Sequence, residues 1–111
     1  MRPVTVTVDS ASISDPIPVN WRGAGSFKLG LGVKMSNPVD LSYTVEHSFD
    51  DPNDYSSGSD YNTNAKWFPT SGLTGETIDA ESNIAFPVRA VRLSVVLYTT
   101  GSATLTVIQG S

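Results

Sequence analysis

The sequence predicts an all-β protein: an antiparallel β-sandwich, jelly-roll-like, of about eight strands. Three observations carry that expectation. Apolar residues recur with period two along most of the chain, the spacing that puts alternate side chains on opposite faces of a strand. Short apolar runs are separated by Gly, Pro, Asn and Ser turns, the punctuation of sandwiches and barrels. No window shows a helical period with a cap. Strand count and length match two four-stranded sheets, although an immunoglobulin-like order or a closed barrel would read similarly. A chain of 111 residues fits one domain, residues 1–111, able to bury roughly two-thirds of the surface its unfolded form exposes.

The elements follow in order. In "VTVTVD", Val4, Val6 and Val8 point one way and Thr5, Thr7 and Asp9 the other. Residues 1–12 read either as an edge strand of their own sheet or, through the small-residue link "SASIS", as a strand exchanged onto another subunit. In "IPVNW", Ile17, Val19 and Trp21 alternate, and Pro18 lacks an amide donor, which places this strand at an edge. "SFKLGLGVKM" sets Phe27, Leu29, Leu31, Val33 and Met35 against Lys28, Gly30, Gly32 and Lys34. After the turn "SNP", "VDLSYTVEHSF" carries Leu41, Tyr43, Val45, His47 and Phe49 on one face and Ser42, Thr44, Glu46 and Ser48 on the other.

A long polar loop spans residues 50–65. Its Gly, Ser, Asn and Asp content offers little apolar surface, so it is expected to be mobile in the free protein and ordered on contact. "KWF" is a short strand, with Trp67 and Phe68 expected in the core, and "PTSGLTGETIDAES" is a link rich in turn formers. "NIAFPV" and "VRAVRLSVVLYTT" follow, and Val91, Leu93, Val95 and Leu97 share a face. Phe86, Val88 and Ala90 fall on the other parity, so Pro87 or a bulge near Ala90 should reset the register. "GS" then turns into "ATLTVIQ", with Ala103, Leu105 and Val107 on one face.

Composition narrows the chemistry. With no cysteine there is no disulfide framework, thiolate metal site or cysteine nucleophile. The amino terminus lacks the continuous apolar run of a signal peptide, and no segment is long enough to span a bilayer as a helix, so the expected setting is cytosolic synthesis with no membrane partner. Seven basic residues are scattered among eleven acidic ones, for a net charge of −4; no basic stripe argues for nucleic acid. Charged residues are only 16% of the chain, below the usual quarter, which suits a surface made for other proteins.

The one histidine lies in "YTVEHSFDDPND", with Asp50, Asp51 and Asp54 close behind. Parity puts His47 among core residues, where a ring nitrogen bonded to a neighbouring carbonyl or carboxylate is expected rather than a general base. The acidic run does not fit a calcium loop: counted from Asp51, Tyr55 stands at a ligand position and Ser56 where glycine is needed. Convergence of Asp50, Asp51, Asp54 and Asp60 on a cation is the alternative to a strand stop. Neither a nucleophile elbow nor a glycine-rich phosphate loop is present, and the acids other than Glu46 lie outside the confident strands or at their ends, where the facing carboxylates of a glycosidase are least expected. No metal, cofactor or catalytic residue is assigned.

The remaining candidates are contact residues. Gly30 and Gly32 sit on the polar face of a long strand, which marks either a twist or bulge or the close approach of another chain. Tyr55 and Tyr61 in the loop are core plugs, interface anchors or sugar-stacking platforms. With Val4, Val6 and Val8 these make the interface set.

The phrases "YTVEHSFDDP", "KWFP", "NIAFPVRAVRLSV" and "GSATLTVIQG" occur in that order. On them the chain, over residues 16 to 110, resembles small structural proteins encoded in the virion modules of tailed bacteriophages. The resemblance implies a non-enzymatic assembly role in the virion, foremost as a capsid decoration or cement protein, with the head–tail junction or tail as other placements. Its implied partners are the major capsid protein or other virion proteins. It supplies no catalytic or ligand motif to carry over. A homo-oligomer, trimer or ring, fits the symmetry of such assemblies; a carbohydrate-binding module using the loop aromatics is the alternative from another class.

Overall fold

A computed structural model describes residues 4–19, 28–36, 38–86 and 88–110. The strands are β1 (Val4–Val8), β2 (Ile17–Pro18), β3 (Lys28–Met35), β4 (Asp40–Ser48), β5 (Trp67–Pro69), β6 (Ala80–Ile84), β7 (Ala90–Thr100) and β8 (Ala103–Gly110). They form two four-stranded sheets, ordered β1-β8-β3-β6 and β2-β7-β4-β5, with every pair antiparallel. First pairs with last, second with seventh, third with sixth and fourth with fifth. That nesting is a long hairpin rolled over on itself, the jelly roll expected from strand count and chain length.

Alternation decides the core. Leu29, Leu31 and Val33 of β3 and Leu105 and Val107 of β8 face Tyr43 and Val45 of β4 and Val91 and Leu93 of β7, all buried in one cluster. Each such aliphatic side chain contributes roughly 1.5–3 kcal/mol relative to exposure. Tyr43 keeps its polar tip satisfied: its hydroxyl donates to the Ile78 carbonyl at 2.8 Å, and burial, then the nearby Glu76 and Asp79 carboxylates, push its pKa up to about 12. The β7–β8 turn needs glycine at 101, where φ is +95° and a Cβ would come within 2.8 Å of Ser36 Oγ.

Pro18 lies on an edge strand as expected, pairing with Ala90. The edge reaches further back than β2, because the "SASIS" link also pairs with β7: Ile13 bridges Ser94 and the Ser14 amide donates to the Leu93 carbonyl at 2.8 Å. β1 pairs with β8 of its own chain over Val4↔Val107 to Val8↔Ala103.

Four expectations are corrected. The register of β7 shifts between Asp40 and Leu41 and again between Ser42 and Tyr43 of its partner β4, not near Ala90. Val96 and Thr99 are the residues without a partner in that register, so Leu97 pairs with Ser42 on the outer face and is 68% exposed. β6 begins at Ala80, inside the stretch read as a link, because Ser82 and Ile84 alternate with Glu81 and Asn83 even though the residues are mostly polar. The loop over 50–65 is built rather than bare: a turn of 3-10 helix at Pro52–Asp54 leads to a short helix, α1 (Gly58–Asn64). Ser57 caps α1 by accepting from the Asp60 amide at 3.1 Å, and Tyr61, 1% exposed, pins it to the sandwich. Finally, Phe68 is 38% exposed and Trp67 only half-buried, so "KWF" contributes less to the core than expected. Trp21, Phe27 and Pro87 lie outside the described residues.

Candidate functional site

At the end of the sandwich where β4 finishes, sequence and topology bring four rings together. β4 delivers His47 at its last inward position, and Phe49 follows just past the strand. β5 sets Phe68 directly opposite His47, and the link from β6 to β7 supplies Phe86. Ring centroids lie 5.7 Å from His47 to Phe49, 6.1 Å to Phe68 and 5.4 Å to Phe86. Phe49 in turn touches both outer rings, at 5.8 and 6.0 Å. The histidine is buried, but Phe49, Phe68 and Phe86 are 50%, 38% and 47% exposed. Together they show on the order of 300 Å² of aromatic surface, the size of the largest apolar patch on a typical monomer.

His47 bonds the Thr70 hydroxyl through Nδ1 at 2.9 Å, where a carbonyl or carboxylate was expected. Burial holds the imidazole below its ordinary pKa, against the opposing pull of the Glu46 carboxylate. The unfolded chain protonates His47 near pH 6.5 while the folded one resists, so the unfolded state binds more protons as pH falls. Stability is full above about pH 6.5 and is lost as pH drops through it. The melting temperature should therefore decline as the pH falls below about 6.5, and His47→Gln should flatten that decline; an unchanged slope in the variant would remove His47 as its cause.

Asp50, Asp51 and Asp60, behind His47, are engaged by protein partners; Asp54 lies in the 3-10 turn. Asp50 accepts from the Lys66 amide at 2.8 Å and the Tyr55 hydroxyl at 3.1 Å. Asp51 caps the 3-10 turn through the Asn53 amide and pairs with Arg89 at 2.9 Å. Asp60 accepts from the Ser56 amide and Asn64, bonds that hold its carboxyl below the usual range. Among the described residues no three His, Asp or Glu side chains converge as metal ligands.

The interface candidates are scattered. Tyr61 is a core plug rather than a sugar platform: its hydroxyl donates to the Asp50 carbonyl at 2.8 Å and its ring packs against Tyr55 and Trp67 at 5.2 and 5.3 Å. Tyr55 is half-buried and lines a cleft of about 570 Å³ with Pro16, Pro18, Pro52 and Ser59. Gly30 and Gly32 lie in a β3 register that runs unbroken against both neighbours, so neither marks a bulge. A Cβ on Gly32 would meet nothing within 4 Å, and the pair floors a shallow trough between Glu81 and Asn83 on one side and Thr106 and Ile108 on the other. Val8 is buried, Val6 half-buried and Val4 36% exposed.

Sequence reading did not single out Phe49 and Phe86. Their signal is position: each is an aromatic residue next to a strand breaker, in "SFDDP" and "AFPV", where a ring leaves the alternating core and meets solvent. Compared with family models, curated proteins and solved structures, the chain matches none.

Proposed function

We propose that this protein is a non-enzymatic structural protein of a tailed-bacteriophage virion, a decoration or cement protein that docks on the major capsid protein through the Phe49–Phe68–Phe86 end. The observation that carries the reading is the exposure of three packed phenylalanines at one end of the sandwich. Aromatic side chains held rigid by their neighbours are the residues on which protein interfaces concentrate their energy, at about 2 kcal/mol or more each. The low charge and the resemblance of the ordered phrases to those of virion structural proteins support the same role.

Virions from cells producing the wild-type chain should carry it. Virions made with Phe49→Asp or Phe86→Asp should lack it, while each variant remains folded in the lysate. A wild-type chain missing from virions would sink the reading, and retention of both variants would move the contact off this end. The glycan-binding alternative has one observation in its favour, the Tyr55 and proline cleft. A glycan array that lights up for wild type and goes dark for Tyr55→Ala would prefer it.

A further inference from the structure

β1 is the last strand of its sheet. It pairs with β8 on one side, and its place at the end of the order leaves the other side's backbone donors and acceptors facing no strand among the described residues. Such an edge is a template for another chain, which proteins usually blunt with a charge, a proline or a bulge. "VTVTV" over Val4–Val8 carries none of these, and its register against β8 runs without a shift. The core also thins along it, from buried Val8 through half-buried Val6 to exposed Val4.

This edge reads the same in both directions. An antiparallel partner related by a two-fold axis through Val6 sets Val4 against Val8, Val6 against Val6 and Thr5 against Thr7, with every side chain on its proper face. The exposed Val4 of one copy then lies beside the buried Val8 of the other, and the threonines line the solvent side. The chain already makes this contact internally, where the hydroxyls of Thr7 and Thr104 lie 2.9 Å apart across β1 and β8, a pairing that stabilises sheets. No charged residue lies within the strand, so copies of a chain of net charge −4 meet no like-charge opposition along it.

We propose that β1 is a self-recognition edge: two copies join β1 to β1, antiparallel, into one continuous sheet ordered β6-β3-β8-β1-β1-β8-β3-β6. This contact rests on no part of the shell-docking reading, and it is tested on the isolated protein. Wild type should sediment as a dimer. Thr5→Lys with Thr7→Lys sets lysine across from lysine twice per dimer and should weaken association at least tenfold, even though it brings the whole chain closer to neutrality. Thr5→Lys with Thr7→Glu sets lysine across from glutamate and should keep the dimer. Both variants lose the Thr7–Thr104 contact alike, so a folding defect would act on both. A monomeric wild type at its highest soluble concentration, a trimer or ring in its place, or equal association of the two variants would overturn the proposal.

Discussion

Tyr61→Ala should destabilise the protein by about 3–5 kcal/mol, the range for truncating a buried aromatic side chain. Three losses combine at this residue. Its ring leaves a void between Tyr55 and Trp67, its hydroxyl no longer donates to Asp50, and α1 loses its one buried residue. A helix this short cannot persist on propensity alone, so residues 57–65 should become open to proteases while the sheets hold. Tyr61→Phe should cost only about 0.5–1.5 kcal/mol, the net value of one hydrogen bond. Denaturant unfolding of both variants checks the pair, and a near-neutral Tyr61→Ala would mean that the loop stands without its anchor.

Arg92→Ala is expected to cost about 2–3 kcal/mol. Arg92 is buried on the outer face of β7, where three neighbours engage it. Its Nε donates to Glu46 Oε1 at 2.9 Å, its Nη1 donates to the Asn62 carbonyl at 2.8 Å, and its guanidinium lies 4.1 Å from the centre of the Trp67 ring. Removing it strands the Glu46 carboxylate, unties α1 from the sheet and uncovers the indole. The loss should fall below the 3–5 kcal/mol of a fully sealed ion pair, because the Glu46 side chain keeps 22% of its exposure. Arg92→Met with Glu46→Leu should recover much of it, since both charges then go together. If the double variant is as unstable as Arg92→Ala, the ion pair is not the source.

What could be read beforehand followed from period two. Leu29, Leu31 and Val33, or Val91, Leu93 and Val95, declare their face by spacing alone, and the structure buries all six. Leu97 shares that parity on paper, but the register shift at Val96 turns it outward, and a shift is set by pairing with a distant strand rather than by local residues. His47 was placed inside by the same parity, whereas its partner Thr70 comes from beyond the loop. Tyr61 gave no periodic signal: one buried ring in a seven-residue helix has no second apolar residue at helical spacing to announce a face. The aromatic end was hidden for a related reason, since Phe49, Phe68 and Phe86 come from three separate parts of the chain.

The nested strand order also fixes when this protein is able to fold. β4 and β5 are nearest neighbours in the hierarchy, and each outer pair needs a strand made later: β6 for β3, β7 for β2, β8 for β1. During synthesis the first of these eight strands to leave the ribosome is therefore the last to find its place, because Val4 waits for Val107. Pairings this distant in sequence close slowly, since the chain entropy of the enclosed loop is lost before any contact rewards it. Through that interval "VTVTV" stays open as an uncharged, strand-prone segment of the kind that aggregates when left unpaired. Slow translation lengthens its exposure, so soluble yield should depend on how fast the ribosome reaches β8.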